Sequence, residues 1–216
     1  GYWSRGLGDV YKRQSLMKVS NIYTIHGAEP FLIELKRDEI IQDLRKKEYF
    51  LREIFFSNDS SFKLENLFKE NETSLFSERK IIDLRLNSSL TKDSSESFID
   101  FCRHLSEDNS LIVSINNIER LATKKWFKEI SNISDVTEIK KIYPNQFRNW
   151  VIQQSKKNFL DLDIETINLI VEKTQGNFLA AMQEIKFLKA LNSSEKTSIS
   201  ENSDCLLYTS PSPRDQ

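Results

Sequence analysis

In the first two thirds of the chain, short apolar runs alternate with segments in which apolar residues recur three and four positions apart. Short apolar runs bounded by polar residues, such as residues 111–115, are typical of strands buried in a parallel sheet. Between these runs, apolar positions recur three and four residues apart, as on the buried face of a helix. The pattern predicts strands at residues 22–25, 49–56, 82–86, 111–115 and 136–142. It predicts helices after Pro30, around Leu64 to Phe68, and at 94–105 and 118–130.

Strands separated by helices indicate a parallel sheet with helices on both faces, so the predicted fold class is α/β. Pro30 fits the first turn of its helix, where its missing N–H has no cost. In the third strand, Ile82, Leu84 and Leu86 alternate with Asp83 and Arg85. This alternation predicts one buried face and one wetter face for that strand.

The strand pattern ends at Tyr143-Pro144, and helical spacing alone continues after it. Asp163 is suited to cap one of these helices, Gly176 to end it, and Asn177 to cap the next one. The sequence therefore predicts a small three-helix domain after the α/β domain. Residues 193–204 are rich in Ser, Asn and Glu, a composition that predicts a linker.

The two ends of the chain have an origin different from the rest. Residues 4–14 and 205–215 can be encoded by opposite strands of one DNA sequence, which resembles a transposase mosaic-end adapter used in library preparation. We therefore interpret residues 1–14 and 205–216 as adapter-derived and exclude them from fold reasoning. The natural start is expected at Met17, and the natural protein is expected to continue beyond residue 204.

Charge and cysteine content exclude several classes of protein. The chain has 31 basic and 32 acidic residues, and the terminal segments hold four and two of them. The remaining 27 and 30 leave a net charge of −3, without the basic excess of an autonomous nucleic-acid binder. Cys102 is the one natural cysteine, which predicts no disulfide framework and a cytoplasmic location. No apolar run is long enough to span a membrane.

Candidate residues for catalysis are few. Gly27 and Gly176 are the only glycines outside the terminal segments, so no glycine-rich loop can wrap a phosphate group. His26 and His104 lack partners at metal-ligand or nucleophile spacing, and we interpret them as structural. The segment 114–117, Ser-Ile-Asn-Asn, has no carboxylate that could hold magnesium. We expect no catalytic residue, no cofactor and no metal.

Lys124, Lys125 and Lys128 form a basic helical edge beside Trp126 and Phe127. The simpler interpretation is a solvated face over aromatic residues of the core. The alternative is contact with a DNA backbone, since lysines bind phosphate oxygens.

Ser74-Leu75-Phe76 places two adjacent large apolar side chains between a polar segment and the third strand. Such a pair either fills the local core or inserts into a pocket of a partner protein. The residues alone favour the core, because large apolar side chains are most often buried.

Four motifs resemble the delta subunit of the bacterial DNA polymerase III clamp loader, and the resemblance covers residues 22–191. They are residues 26–33 (HGAEPFLI), 74–81 (SLFSERKI), 123–128 (TKKWFK) and 172–185 (EKTQGNFLAAMQEI). The resemblance implies an AAA+-like domain without ATP binding at residues 17–142, which lacks a P-loop. It also implies a helical lid domain at 143–192, and a truncated linker at 193–204 to a missing collar domain.

The resemblance also implies function. Family members bind the ring-shaped sliding clamp (beta subunit) through a matching Leu-Phe pair, so Ser74, Leu75 and Phe76 are the expected clamp-binding residues. The implied protein is a subunit without an active site that favours clamp opening during replication. Its other implied partners are delta-prime, gamma/tau and, within the complex, primed DNA. The alternatives are a nucleotide-hydrolysing AAA+ ATPase and a DNA-binding adaptor without clamp contact.

Overall fold

Five parallel strands form one sheet in the computed structural model, which describes residues 21–57, 64–71 and 79–204. For residues 65, 70 and 193–204 it gives the backbone alone. The strands are β1 (Ile22–Gly27), β2 (Leu51–Phe56), β3 (Lys80–Leu86), β4 (Asn109–Asn116) and β5 (Asp135–Ile139). Their order across the sheet is β2-β3-β4-β1-β5, and every pair is parallel. The predicted α/β class with a parallel sheet is confirmed.

Helices connect the strands, and only helices follow the last strand. Those of the sheet unit are α1 (Pro30–Arg45), α2 (Leu64–Asn71), α3 (Lys92–Arg103) and α4 (Lys125–Ile133). The chain divides after Lys141 into two compact units. The second unit contains α5 (Pro144–Lys157), α6 (Ile164–Thr174) and α7 (Phe178–Asp204). Within the described residues, no helix is both long enough and apolar enough to cross a membrane.

Local sequence signals start these helices as predicted. Pro30 occupies the first turn of α1. The Asp163 carboxylate accepts a hydrogen bond of 2.7 Å from the N–H of Thr166 at the start of α6. The Asn177 side chain accepts one of 3.0 Å from the N–H of Ala180 at the start of α7. Gly176 has φ of +85°, a conformation that side chains with a Cβ rarely adopt.

One face of the sheet packs a largely apolar core, which also holds the buried Thr24 hydroxyl, 2.9 Å from the Ser134 hydroxyl. Ile82, Leu84 and Leu86 of β3 are fully buried there, with α2, α3 and α4 covering the face. Phe98 and Phe101 of α3 are also fully buried. Burying large side chains of this kind contributes about 1.5–3 kcal/mol each to stability. This face therefore supplies much of the stability of the unit.

The opposite face packs against α1 and is mixed in character. Ile25, Ile81 and Ile112 meet Ile33 and Ile41 of α1 in a second apolar cluster. Asp83 lies on this same face and has no exposed surface. The predicted wetter face of β3 is therefore wrong for Asp83. Both faces of a parallel sheet are covered, and the carboxylate is held by arginines rather than by water.

Two other predicted segments differ from the structure. The helix predicted at 118–130 is a 3₁₀ turn at Leu121–Thr123 followed by α4. Arg120 has a left-handed backbone, and the Thr123 hydroxyl donates a 2.7 Å hydrogen bond to its carbonyl, which competes with helix formation. Where composition predicted a linker at 193–204, the backbone continues α7 to Asp204. No glycine or proline interrupts residues 178–204.

The second unit has its own aromatic core. Phe147 and Trp150 of α5 stack with ring centroids 5.8 Å apart, and Phe178 of α7 meets both rings edge-on. Val151 and Gln154 of the same helix are also buried. A core of this kind within the three helices explains why they form a compact unit.

Candidate functional site

The predicted clamp-binding residues Ser74, Leu75 and Phe76 lie outside the described residues, in the range 72–78. The structure describes the two points that flank this range. These points are Asn71, the last residue of α2, and Arg79, directly before β3.

Asn71 is held by three hydrogen bonds. Its amide donates to the His104 carbonyl at 2.8 Å, and its side-chain oxygen accepts from the Ser106 N–H at 2.8 Å. The Asn109 amide donates to the same oxygen at 3.2 Å. The end of α2 is therefore attached to the segment that leads into β4.

Arg79 is held by residues that precede β2. Its guanidinium donates a 2.9 Å hydrogen bond to the Lys47 carbonyl and lies 5.6 Å from the centre of the Tyr49 ring. The range that carries the Leu-Phe pair thus begins and ends at positions with specific contacts.

The turn between β1 and α1 has one glycine, and packing explains it. A Cβ at Gly27 would lie 2.5 Å from the Ile139 carbonyl oxygen of β5, closer than real atoms approach. Ala28 and Glu29 complete the turn before Pro30. A single glycine required by a neighbouring strand does not form a phosphate cradle, which needs several backbone N–H groups directed at one anion.

Both histidines have structural surroundings. The His26 ring meets Phe127 edge-on at 5.1 Å, and burial lowers the pKa of its imidazole. His104 follows the last turn of α3 and lies 3.3 Å from the Asp100 carboxylate. Among the described residues, no three His, Cys, Asp or Glu side chains are grouped to hold a metal ion. Burial raises the pKa of the Cys102 thiol far above its usual value.

The predicted basic edge lies at the start of α4. Lys124 precedes the helix and Lys125 begins it, while Lys128 is exposed one turn later. Trp126 and Phe127 are 6% and 8% exposed, so the prediction that they belong to the core is confirmed. The start of α4 has no side-chain cap, which leaves its first N–H groups free of such a partner.

A groove of about 460 Å³ separates the start of α4 from the start of α3. Lys128 is absent from its lining. Its charged lining residues are Lys92, Arg103, Lys124, Lys125, Glu96 and Glu129. Glu129 accepts from Arg103 at 3.1 Å and lies 3.8 Å from Lys125. The four cations outnumber the two carboxylates, so the groove is electropositive.

Sequence reasoning missed a cluster of charged side chains around Asp83. Its Oδ2 atom accepts from Arg52 at 2.6 Å and from Arg85 at 3.3 Å, and it lies 3.8 Å from Nε of Arg37. Arg37 of α1 also donates to Glu34 at 2.8 Å. A signal for this cluster was present. A carboxylate in the middle of an apolar strand of a parallel sheet must be buried, and a buried carboxylate requires a cation.

The edge strand β2 is unusually apolar and exposed. Phe50, Leu51, Ile54 and Phe56 keep 73%, 44%, 42% and 41% of their surface exposed. The sequence predicted this strand but gave no indication that it would lie at an edge.

Comparisons with known proteins include a match to one family model. Residues 23–140, more than half of the chain, match the family model described as DNA polymerase III, delta subunit. A UPF0763 protein of Helicobacter pylori (strain Shi470) is 29% identical over 137 residues, 62% of this chain and 77% of that protein. The counterpart from strain 52 has the same figures.

One solved structure is similar in fold, the Bacillus subtilis DNA clamp loader delta protein (YqeN). It matches with a TM-score of 0.60 and 15% identity, over 79% of this chain and 53% of that one. The chain therefore spans about half the length of that protein. The likeness shows a shared AAA+-like fold.

Proposed function

This chain belongs to the family of DNA polymerase III delta subunits, and from that premise we propose that it is a non-catalytic subunit of a clamp loader. In this proposal, Ser74, Leu75 and Phe76 bind the sliding clamp. The observation that carries the proposal is the family match, whose range of residues 23–140 includes these three positions. The contacts of Asn71 and Arg79 support it, since they hold both ends of the segment.

The proposed action is a shift in the equilibrium between closed and open clamp. A subunit that binds the open ring more tightly than the closed one favours opening by that difference in affinity. No hydrolysis by this chain is needed, and the turn at Gly27 has no cradle for phosphate. Nucleotide would act in sister subunits of the loader. The assembled complex, with delta-prime and gamma/tau as further partners, would place the clamp on primed DNA.

The size of the expected interaction follows from the side chains. Leu75 and Phe76, inserted into a preformed pocket, would each contribute ~1.5–3 kcal/mol, which is the range of an interface hot spot. Ser74 would contribute less, because a hydroxyl gains little when it exchanges water for a protein partner.

The decisive experiment changes both apolar residues in one variant. Leu75→Ala with Phe76→Ala should weaken clamp binding by ~3–6 kcal/mol while the free energy of unfolding changes little. Isothermal titration with the purified clamp measures the first quantity, and urea unfolding measures the second. If the pair fills the core instead, unfolding loses a similar amount, and clamp binding falls only with the folded fraction.

A matched control is available in the same unit. Phe50 and Leu51 are also adjacent, apolar and exposed; Phe50 directly precedes β2 and Leu51 begins it. Phe50→Ala with Leu51→Ala should leave clamp affinity unchanged. An equal loss in this control would show that any exposed apolar pair supports binding, and would remove the specific role of Leu75 and Phe76.

Nucleotide binding separates this proposal from the ATPase alternative. We expect ATP with magnesium to give no thermal shift of the chain, because one glycine and the carboxylate of Glu29 occupy the β1–α1 turn. A magnesium-dependent stabilisation would contradict the non-catalytic assignment.

A DNA-backbone contact at Lys124, Lys125 and Lys128 is a second proposal, favoured by the electropositive groove and the uncapped start of α4. Changing all three to Gln should weaken binding of the assembled loader to primed DNA and lower its salt dependence. Unchanged salt dependence would contradict the contact. DNA binding by the isolated chain, without clamp binding, would favour the adaptor alternative.

A further inference from the structure

β2 and β3 place a set of apolar and charged side chains on one face of the sheet. In their register, Ile54 lies opposite Asp83 and Phe56 lies opposite Arg85, with Arg52 one step earlier on β2. We call Arg52, Ile54, Phe56, Asp83 and Arg85 the arginine surface. It lies on the α1 face of the sheet, but Ile54 and Phe56 remain 42% and 41% exposed.

The charges of this surface are unbalanced. Asp83 is the one buried carboxylate in contact with Arg37, Arg52 and Arg85, and all three approach a single oxygen, Oδ2. In the described structure, the buried Nε atoms of the three arginines have no hydrogen-bond partner. Glu34, the other acid in contact, is exposed and bonds only to Arg37. The surface therefore carries more positive charge than its own acids neutralise.

Part of this excess charge reaches the protein surface. Arg52 and Arg85 are 23% and 20% exposed, whereas Arg37 is 5% exposed. The Arg85 guanidinium lies 4.9 Å from the centre of the Phe56 ring, so an apolar and a cationic group form one patch. Oδ1 of Asp83 is itself buried without a hydrogen-bond partner among the described residues. The reason for a second carboxylate is therefore the charge of the two partly exposed guanidinium groups, which share one carboxylate.

β2 lies at one end of the five-stranded sheet. Among the described strands, β2 pairs only with β3 and forms an end of the sheet. Edge strands are normally protected by lysines, proline or short length. The sequence of β2, Leu-Arg-Glu-Ile-Phe-Phe, has neither lysine nor proline. An apolar edge of this kind is suited to receive an added strand.

We propose that the arginine surface docks an extended acidic segment of a partner protein, which adds as a strand along β2. A carboxylate of that segment pairs with Arg52 and Arg85, and an apolar side chain two residues away packs on Ile54 and Phe56. Residues two apart in a strand share one face, so an acidic and an apolar side chain reach the patch together. The proposal is independent of clamp binding, because it involves neither Leu75 nor Phe76.

The surface favours a peptide over a nucleic acid. A DNA backbone requires several exposed cations, and here the two accessible arginines expose only about a fifth of their surface. The most exposed members of the arginine surface, Ile54 and Phe56, are apolar and offer a phosphate backbone no contact. Strand addition uses both features, through backbone hydrogen bonds and contacts of alternate side chains.

The test uses two labelled octapeptides with the full chain. One has the sequence Asp-Thr-Val-Thr-Asp-Thr-Val-Thr, and the other has Asn in place of each Asp. Fluorescence anisotropy measures the Kd of each. We expect the acidic peptide to bind at least about tenfold more tightly, since charge-assisted hydrogen bonds exceed neutral ones in strength. Equal Kd values for the two peptides would overturn the proposal.

Two variants test the surface itself. Arg85→Gln and Ile54→Glu should each weaken binding of the acidic peptide by about tenfold or more. Arg85→Gln leaves Arg37 and Arg52 on Asp83, and thermal melting verifies that it folds. Ile54 is partly exposed, so Ile54→Glu provides a second readout if the arginine variant is unstable.

A third variant measures the effect of charge alone. Arg45→Gln removes the same charge at an exposed position at the end of α1 and should leave the Kd unchanged. An equal loss in Arg45→Gln would show diffuse electrostatic attraction and would overturn the proposal. The chain could also bind single-stranded DNA more tightly than the acidic peptide and lose that binding in Arg85→Gln. This result would assign the surface to nucleic acid and would overturn the proposal as well.

Discussion

On one face of the sheet, β3 places Ile82, Leu84 and Leu86 against α2, α3 and α4, and all three are fully buried. On the other face, the same strand places Ile81, Asp83 and Arg85 on the side of α1. The core of the first face is largely apolar, and the second face holds a buried carboxylate among arginines.

The two faces therefore differ in what they contribute: the apolar face contributes folding stability, and the mixed face contributes specific hydrogen-bond donors. Apolar burial gives a favourable free energy in proportion to area and does not depend on an exact partner. A buried ion pair gains little net stability, because desolvation of both charges offsets their attraction. What the second face provides instead is a set of directional donors at the surface of β2, next to exposed apolar side chains.

The largest expected effect concerns the apolar face. Phe101 is fully buried in α3 and meets Phe68 edge-on at 5.4 Å. Phe101→Ala should lower the free energy of unfolding by ~3–5 kcal/mol, because it leaves a cavity in a tightly packed core. Urea unfolding measures the change, with Phe50→Ala as the exposed control, expected within about 0.5 kcal/mol of the parent. Similar losses in both variants would show that the faces do not differ in this way.

A smaller effect is expected on the mixed face. Asp83→Ala removes the shared acceptor of three arginines and should lower stability by about 3 kcal/mol, the low end for breaking a buried ion pair. Arg52 and Arg85 are partly exposed and can turn to water, which limits the loss. Asp43→Ala, which removes an exposed pair with Lys46, should change stability by less than about 1 kcal/mol. If the Asp83→Ala variant were more stable than the parent, the desolvation of the carboxylate would exceed its attraction to the arginines.

The smallest effect is a pH dependence that arises at His26, whose ring meets Phe127 of α4. Burial lowers its pKa in the folded chain, so below the unfolded value of about 6.5 the unfolded chain binds more protons. Stability should therefore fall as pH decreases through about 6.5, and the decrease should end below the folded pKa. Urea unfolding at about pH 7.5 and about pH 5.5 measures it. His26→Gln should lose this component, and an unchanged pH profile in that variant would assign the dependence to other groups.

Local signals in the sequence were sufficient for most of the fold. The helix starts at Pro30, Asp163 and Asn177 depend on residues within one turn, so the sequence contains both partners of each contact. The apolar runs likewise predict strands, because burial on both faces requires side chains of that type. The sequence did not predict that the region 118–133 is divided into a 3₁₀ turn and a helix. The cause, a hydrogen bond from the Thr123 hydroxyl to the Arg120 carbonyl, gives only a weak signal in the sequence.

The sequence by itself determined the alternation of strands and helices, the absence of a glycine-rich loop, and the four motifs of the family. Only the tertiary structure decided which arginines surround Asp83 and that β2 lies at an edge. Asp83 meets Arg52, which lies 31 positions earlier in the chain, and the third arginine comes from α1. Sequence periodicity indicates which side chains lie on the same face of one helix or strand. It does not report which elements become neighbours, because the order of strands in a sheet is set by packing between distant segments.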